Sequence, residues 1–549
     1  MKKLIIAIAV ITAIQTSIAQ ENKGTFSGGF ESNSQWYLDD SGLVEENPNG
    51  FEAPQDQLRS NNYFTLRYSY DKFTAGVQYE LFAPNPLLGY FQGFQGNGIG
   101  TYYLNFKHEN LDITGGHFYD QFGSGLIYRS WEDRQLGIDN SIRGVRIKYD
   151  FTDYLNATAF SGNQRVGFEI SEGTVTGVNT ELDLSTALDI ETGIQLGASY
   201  VNRYQEYTGP NDNFPAAVGA YSLRGDVSFD KFFIGAEWVY KEPDAYVESN
   251  TPSNTNLQDG RAILINTGYA TKGLGINGTF RAIDNMTFYS EREAAGNSFL
   301  LNTINFIPGY TKQQDYAVTN IYVYNPQAAV IPVEGKAGEI GGQIDVYYTA
   351  KKESLLGGKY GTKFEMNYAR WSGLDTTFDL SNNTYENSLI SFGDKYFEEY
   401  SLAIKKRFSR RLSAIFTAVH TEYDGQVIEG KDFYLEGNAF VIDALYKFNN
   451  GKSMRFDIQH LGANADRGNW AASTLEYSFS PYLSVYATDL YNYEKTDIHY
   501  FSAGGSYTKG RTRVALNYGR QRGGLICVGG VCRFVPPNSG LSMNISTNF

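Results

Sequence analysis

After its first segment, the 549-residue chain has no run of about 18 apolar residues, the length that a membrane-spanning helix requires. A helical membrane protein is therefore excluded. Mean hydropathy is −0.37 and hydrophobic residues make up 42% of the chain, values typical of a soluble protein. A transmembrane β-barrel has a similar average, because only alternate residues of each strand face lipid. Composition alone thus leaves both a large soluble β-protein and a membrane barrel open.

Cysteine, methionine and histidine are also scarce, with two, five and five residues. The sequence predicts no metal site and no cofactor, because the histidines are scattered, at His108, His117, His420, His460 and His499. The net charge is −14 without a basic block, which argues against a nucleic-acid partner. Tyr (42), Phe (36) and Gly (58) are abundant, and the aromatic excess fits the girdles of a membrane barrel.

The N-terminus has the three parts of a secretory signal peptide. Met1-Lys2-Lys3 is basic, the stretch from Leu4 to Ile14 is apolar, and Ser17-Ile18-Ala19 supplies small residues for cleavage. We therefore predict that residues 1–19 are a removed signal peptide for Sec-type export and that the mature chain is 20–549. Since no cysteine follows the cleavage site, a lipoprotein is not expected.

Apolar and polar residues alternate from near Thr25 to Phe549, which is typical of strands with one polar and one apolar face. One example is the pair of runs on either side of Asp71-Lys72, with apolar residues Phe64, Leu66, Tyr68 and Tyr70, then Phe73, Ala75, Val77, Tyr79 and Leu81. Counting such runs predicts about 24 strands, with 22 or 26 also possible. The strands between Arg165 and Tyr204 are the least clear.

The connections between these runs fall into two alternating classes. One class is short; the other is long and polar, at 38–61, 83–98, 207–217, 285–335, 372–394 and 521–538. Outer-membrane barrels have short periplasmic turns and long extracellular loops, an asymmetry that a soluble propeller does not need. We therefore predict an all-β protein with a single closed antiparallel transmembrane β-barrel in the cell outer membrane. An even strand number places both termini in the periplasm.

The C-terminus ends in one further alternating face, formed by Leu541, Met543, Ile545, Thr547 and Phe549. A terminal aromatic residue on an amphipathic strand is typical of the signal that barrel-insertion machinery reads, so Phe549 is the predicted signal. The alternative is a soluble strand that happens to end in Phe. The expected partners are this machinery and outer-membrane lipid and lipopolysaccharide.

The segment 121–146 is unusually rich in mixed charges among glycine and aromatic residues. Its predicted pore or constriction residues are Arg129, Glu132, Asp133, Arg134, Asp139, Arg143 and Arg146. Charges at this density can pair with one another and with the strands, which favours a loop that folds inward and narrows or plugs the pore. The alternative is a solvated extracellular loop.

Cys527 and Cys532 are the only cysteines and lie in the last long loop. In an exported protein a disulfide between them is the default, with Gly529-Gly530 at the bend. The adjacent stretch from Phe534 to Pro537 is stiff and apolar. It is equally suited to dock a partner or to pack on the barrel wall.

Three runs resemble an outer-membrane, porin-like barrel family of Bacteroidota: QFGSGLIYR at 121–129, LGIDNSIRGV at 136–145 and CVGGVCRFVP at 527–536. The resemblance covers most of the mature chain. It implies a fold and a location, not a substrate or a reaction. Barrels of this group often join larger outer-membrane complexes, which the resemblance makes plausible here.

Two functional hypotheses follow, and neither is enzymatic, since Gly123-Ser124-Gly125 lacks the context of a nucleophile elbow. The first is a channel or transporter for a polar solute, favoured by charges predicted to face the lumen: Arg67, Glu80, Lys107, Arg146, Lys148, Glu237, Glu365, Arg455 and Arg513. The alternative is a plugged barrel that acts as an accessory or scaffold subunit of a larger complex for nutrient uptake, protein export or barrel assembly.

Overall fold

The structure, a computed structural model, describes residues 24–549 except 46, 207–213, 246, 249–250, 253–256, 332–334 and 383. The predicted signal peptide, residues 1–19, and most of the predicted loop 207–217 lie outside the described residues.

Twenty-four antiparallel strands form one closed sheet, which confirms the predicted barrel and its strand number. The strands are β1 Thr25–Tyr37, β2 Leu58–Tyr70, β3 Phe73–Ala83, β4 Gly96–His108, β5 Leu111–Phe118, β6 Ile142–Thr152, β7 Leu155–Val166, β8 Glu169–Asp183, β9 Gly193–Tyr204, β10 Ala217–Phe229, β11 Phe232–Asp244, β12 Gln258–Thr271, β13 Leu274–Asp284, β14 Glu339–Ala350, β15 Thr362–Ser372, β16 Lys395–Arg407, β17 Leu412–Asp424, β18 Tyr434–Lys447, β19 Ser453–Ala463, β20 Trp470–Ser480, β21 Leu483–Asn492, β22 Ile498–Lys509, β23 Thr512–Gln521 and β24 Asn538–Asn548. The barrel closes where β1 pairs with β24, from Gly29 opposite Asn548 to Tyr37 opposite Gly540.

Short turns and longer connections lie at opposite ends of the barrel, which we call the turn end and the loop end. Several two-residue turns begin with a residue at positive φ, such as Asp71 at 50° and Asp230 at 46°. Asp tolerates this conformation, which tight hairpins require. Three connections depart from the simple pattern: Gly167-Phe168 is a short link at the loop end, whereas the connection with helix α1, Leu184–Leu188, and the connection 351–361 are long ones at the turn end.

Two of the predicted loop boundaries are wrong. β2 already begins at Leu58, within the predicted loop 38–61. β4 begins at Gly96, so the glycines Gly96, Gly98 and Gly100 lie in a strand and not in the loop 83–98. Their lack of side chains concealed the alternation; Gly100, for example, makes room for the Glu80 carboxylate of the neighbouring strand, which a Cβ there would contact at 2.1 Å.

The outer face of the barrel carries exposed apolar side chains on strands all around it, including Leu104, Val145, Ile234, Ile344, Phe440, Ile458, Leu475 and Leu516. Exposed aromatic residues mark the turn end, at Tyr70, Phe73, Phe151, Tyr154, Phe229, Phe232, Phe408, Phe448, Phe479, Tyr482 and Tyr507. A second set marks the loop end, at Trp36, Tyr204, Tyr221, Trp238, Tyr400, Tyr434 and Tyr518. This arrangement is that of an apolar band between two aromatic girdles. Among the described residues, no helix is long and apolar enough to cross a membrane.

The inner face differs between the two ends. On β18, Leu435, Ala439 and Val441 point inward and are buried, while Phe440 and Ile442 point outward and are exposed. The strand is therefore apolar on both faces near the loop end, because its inner face contacts connections that fold into the barrel. The loop-end connections as a whole contain helix α2, Gly425–Glu429, short 3₁₀ turns and five small hairpins, which pair Glu132–Asp133 with Ile138–Asp139, Val247–Glu248 with Thr251–Pro252, Val330–Ile331 with Lys336–Ala337, Thr376–Asp379 with Thr384–Asn387 and Gly524–Val528 with Val531–Val535.

Candidate functional site: the loop plug and the lumen cavity

Two connections fill the loop-end half of the barrel: segment 119–141 between β5 and β6, and segment 285–338 between β13 and β14. We call them plug segments. Phe122, Leu126, Ile127 and Tyr128 of the first plug segment are buried. They form one apolar cluster with inward side chains of the wall: Phe118, Ile142, Phe160, Val175, Val201, Val218, Ala220, Val239, Ala262, Leu264 and Ile283. The sequence predicts that segment 121–146 folds inward. In the structure, residues 119–141 fold into the barrel in this way.

Arg134 joins the first plug segment to the wall. Its guanidinium donates hydrogen bonds to Glu31 on β1 at 2.7 Å, to Gln78 on β3 at 2.9 Å and to Glu132 at 2.8 Å. It also lies over the ring of Tyr63, 4.3 Å from the ring centroid. Burial lowers the pKa of Arg134, but the carboxylates of Glu132 and Glu31 outweigh this and hold it above its usual value. The guanidinium therefore remains charged.

A second ionic contact lies deeper. Arg165, on β7, donates to Glu80 on β3 at 2.6 Å and contacts Asp139 of the plug segment. The exposed fractions are 1%, 1% and 5% for Arg165, Glu80 and Asp139. Charges this deeply buried are tolerated when they are paired and hydrogen-bonded. Asp139 also accepts a hydrogen bond from the Tyr119 hydroxyl at 3.1 Å.

The remaining predicted site residues have three different roles. Arg129 stacks on Trp131 and Phe306, 5.0 and 3.9 Å from the ring centroids, and burial lowers its pKa. Asp133 caps a turn by accepting the backbone N–H groups of residues 135 and 136, each at 2.8 Å. Arg146 faces inward, between Asp120 at 3.4 Å and Asp112 at 3.5 Å.

The structure places Arg143 apart from the other predicted site residues. It lies on β6 directly after the inward-facing Ile142, and the alternation turns it to the outer face. There it is exposed and pairs across the strands with His117. The density of charges in 121–146 concealed that the strand begins within the segment.

The second plug segment contacts two parts of the wall. Its first part, with Met286, Phe288 and Ile304, joins the cluster of the first plug segment, and its later part packs against another part of the wall. Its buried residues Tyr316, Val318, Ile321, Tyr322 and Tyr324 join an apolar cluster with wall residues of β15 to β22, among them Trp371, Phe397, Tyr423, Leu435, Val441, Leu461 and Trp470. Tyr324 stacks on Trp371 with the ring centroids 5.6 Å apart.

An ionic contact fixes the end of this segment. Glu339, the first residue of β14, receives hydrogen bonds from Arg281 on β13 at 2.5 Å, from the Tyr324 hydroxyl and from the backbone N–H of Gln327 at 2.7 Å. Sequence reasoning treated 285–335 as an external loop. The signal that could have revealed the plug is the set of tyrosines Tyr310, Tyr316, Tyr322 and Tyr324. A loop exposed to solvent rarely contains so many aromatic residues, because their rings are usually at least partly buried.

A polar cavity of about 850 Å³ remains along the part of the wall formed by β1 and β20 to β24. It is lined mostly by Asn, Gln, Ser, Tyr and charged side chains: Glu31, Asn33, Gln35, Glu476, Ser484, Tyr486, Ser506, Arg513, Asn517, Gln521, Asn544 and Ser546. Arg134 and Gln135 of the first plug segment line it from the other side. We call it the lumen cavity.

The lumen cavity continues toward the turn end. Glu476, Ser484 and Ser506 also line a second space of about 280 Å³, which reaches the turn at Pro481-Tyr482. At the loop end the lumen cavity is covered by Leu87, Leu88, Val535 and Pro536. The arrangement is a polar passage from the turn end that stops under a cap of loop residues.

The cap is built around the Cys527–Cys532 disulfide, which confirms that predicted bridge. The bridge links Gly524–Val528 to Val531–Val535 in a hairpin. Arg533 holds this hairpin down: it donates to the carbonyl of Gly89 at 2.6 Å and to that of Gln135 at 3.0 Å, and it lies 4.6 Å from the centroid of the Tyr90 ring. The apolar residues beside the bridge differ in their exposure to solvent: Val535 is buried in the cap, whereas Phe534 is half-exposed.

Phe549 lies at the turn end, where it extends the seam between the first and last strands. Its backbone N–H donates to Gly28 at 2.9 Å and its carbonyl accepts from Gly28 at 3.1 Å, while its ring lies 6.3 Å from that of Phe64. The terminal residue thus takes part in barrel closure.

The sequence of the chain matches the model of one protein family. A family model described as "Family of unknown function (DUF6029)" matches residues 1–549, the whole chain. The chain belongs to the DUF6029 family. No curated protein sequence matches this DUF6029 chain.

Solved structures that resemble this DUF6029 chain are large outer-membrane barrels. An assembly intermediate of the E. coli P pilus tip, PapC-PapD-PapK-PapG, aligns with a TM-score of 0.50 at 9% identity, over 97% of this chain and 62% of that one. The siderophore receptor PirA of Pseudomonas aeruginosa aligns with a TM-score of 0.43 at 10% identity, over 97% and 81%. The outer-membrane protein opdK of the same organism aligns with a TM-score of 0.36 at 10% identity, over 80% and 99%. At such identities the likeness concerns the fold alone.

Proposed function

We propose that this protein is a gated outer-membrane channel or transporter for a polar solute. The observation that carries the proposal is the lumen cavity, a polar passage of about 850 Å³ inside the barrel. A barrel that served only as a scaffold has no need of such a passage. In this account the solute moves along β1 and β20 to β24, and the cap closes the loop end.

The proposal includes a localisation and an orientation, which the surface of the barrel supports. An apolar band between two aromatic girdles fits insertion in the outer membrane of a Gram-negative, Bacteroidota-type cell, with lipid and lipopolysaccharide around it. The proposal places the turn end in the periplasm and the loop end outside. Sec-type export with removal of residues 1–19, and recognition of Phe549 by the insertion machinery, belong to the same proposal.

The constriction is the contact between Arg134 and Glu31. Both residues line the lumen cavity, and their ion pair of 2.7 Å ties the first plug segment to β1. Opposite charges facing one another across a narrow passage make solute selection depend on charge and hydrogen bonding. The role of the protein is transport by this account, and no residue is assigned a catalytic role.

A second candidate function is that of a plugged accessory subunit of a larger outer-membrane complex. The two apolar clusters favour it, because they bury apolar side chains of both plug segments against the wall. A barrel closed in this way still offers its loops to partners.

Conductance in a planar lipid bilayer distinguishes the two candidates. We expect wild-type protein to give small or infrequent steps, and Arg134→Ala to give larger steps because the plug loses its tie to β1. Arg143→Ala is the matched control, since it removes the same side chain from the outer face and leaves the passage intact. Folded, inserted protein that stays silent in all three forms contradicts transport, and co-purification of partner proteins from native membranes then tests the accessory role.

A further inference from the structure

A second cavity lies at the loop end, separated from the lumen cavity by the disulfide hairpin. It has a volume of about 450 Å³. Its lining residues all lie in connections between strands: Gly89 between β3 and β4, residues of both plug segments, and residues of 525–534. Arg533 lines both cavities and stands between them. We call the second one the outer pocket.

Aromatic rings form much of the wall of the outer pocket. Trp131 packs edge-on against Phe306 with the ring centroids 5.7 Å apart, and Phe299 and Phe534 supply further surface. Phe534 is 52% exposed although it belongs to a hairpin that is otherwise largely covered. Aromatic surface left open in this way is available to a ligand with a flat apolar body.

Two polar groups supply hydrogen-bonding capacity at this site. The side-chain N–H groups of Asn305 donate to the carbonyls of Leu126 at 3.2 Å and Met286 at 2.6 Å, which leaves its own carbonyl oxygen for the pocket. The Tyr289 side chain also lines the pocket. Burial raises the pKa of Tyr289 to about 12, so its hydroxyl stays protonated as a donor.

Charge limits the ligand further. Among the described residues that line the outer pocket, Arg533 carries the only formal charge, and its guanidinium already donates to the carbonyls of Gly89 and Gln135. A cationic ligand would lose its hydration and meet this positive charge without gaining an ion pair, which disfavours it.

We propose that the outer pocket is a binding site for a small molecule that carries no positive charge and has an aromatic body with a hydroxyl or amide edge. The site goes beyond the proposed transport function, because it lies outside the passage and is formed by loops that the cap holds together. In the proposed complex, the ring system of the bound molecule lies between Trp131, Phe306 and Phe534. The polar edge of the molecule contacts Tyr289 and Asn305.

Titration with 2-naphthol tests the site, with calorimetry on detergent-solubilised protein and empty micelles as the blank. We expect one saturable site, with affinity reduced about 3- to 10-fold in Tyr289→Phe, the range that loss of one hydrogen bond gives. Naphthalene, which lacks the hydroxyl, should bind wild type and Tyr289→Phe equally. Phe534→Ala should weaken both probes at least 5-fold.

Phe392→Ala is the matched control, because Phe392 is another exposed loop phenylalanine, 59% exposed, that does not line the pocket. Its binding should equal that of wild type. Heat no greater than that of empty micelles, or equal losses in Phe534→Ala and Phe392→Ala, overturns the proposal. Because the titration needs no conductance, its failure leaves the transport proposal standing, and silence in the bilayer leaves this site standing.

Discussion

Arg165 on β7 and Glu80 on β3 form a charged pair inside the barrel, with Arg165 Nη2 2.6 Å from Glu80 Oε2. Asp139 of the first plug segment contacts the same guanidinium. One cation therefore binds two wall strands that are not neighbours and the plug between them. This contact explains why a segment dense in charges folds into the lumen and stays there.

Arg165→Met tests the importance of that contact. It leaves Glu80 and Asp139 buried without a counter-charge, which costs about 3–5 kcal/mol in comparable buried pairs. We expect a large fall in the temperature at which the folded barrel loses its heat-modifiable mobility on a gel. Arg143→Met, on the outer face, should leave that temperature nearly unchanged. Equal temperatures for Arg165→Met and wild type would show that the plug does not depend on the pair.

The barrel itself could be predicted from the sequence, because its signals are local. Alternation along β2 and β3, the turn at Asp71-Lys72 and the difference in connection length all follow from a strand having one lipid face. The 24 strands could be counted along the sequence without knowing which residues contact one another across the barrel. The starts of three strands were concealed: β2, the glycine-rich β4, and β6, which begins within the charged segment 121–146.

The plug was only half predicted, because it depends on contacts distant in sequence. The charges of 121–146 indicated an inward fold. However, Arg134 of this segment pairs with Glu31 and Gln78, which lie 103 and 56 residues away in the sequence. Segment 285–338 was missed as a plug. Its tyrosines and the doubly apolar strand β18 indicate a filled interior, since a strand facing water inside the barrel is polar on that side.

The disulfide should stabilise the cap rather than the barrel. Replacing both Cys527 and Cys532 by Ser removes a bridge that closes a very short loop, which contributes about 2 kcal/mol or less. We expect faster proteolytic cleavage within 524–535 and an unchanged unfolding temperature of the barrel. A mild reductant on wild type should reproduce the effect. Cleavage at the wild-type rate in both cases would mean that Arg533 alone holds the hairpin.

Asp40 should make the first loop sensitive to acid. It accepts two hydrogen bonds of 2.7 Å from Arg520 on β23. Burial raises its pKa, but the hydrogen bonds from Arg520 and its other partners outweigh this and lower it below the ordinary 3.8. A lowered folded-state pKa means that the contact stabilises the loop above about pH 4 and is lost as pH falls through the folded value.

Digestion by pepsin at several acidic pH values measures that dependence. Wild type should resist cleavage within 38–57 at pH 5 and become susceptible below the ordinary pKa of the carboxyl, 3.8. Asp40→Asn should be susceptible over the whole range, because the neutral amide cannot form the ion pair. Protection in Asp40→Asn equal to that of wild type at pH 5 would contradict the role of this contact.

Block of the current by a thiol reagent tests whether solute passes along β1 and β20 to β24. Asn544, on β24, lines the lumen cavity, whereas its neighbour Met543 does not. Each is replaced by Cys in the conducting Arg134→Ala background; the native cysteines are in the disulfide and do not react. After addition of a methanethiosulfonate reagent, we predict that the current falls in Asn544→Cys and stays constant in Met543→Cys. An unchanged current in Asn544→Cys, with modification proven by mass spectrometry, would contradict the account.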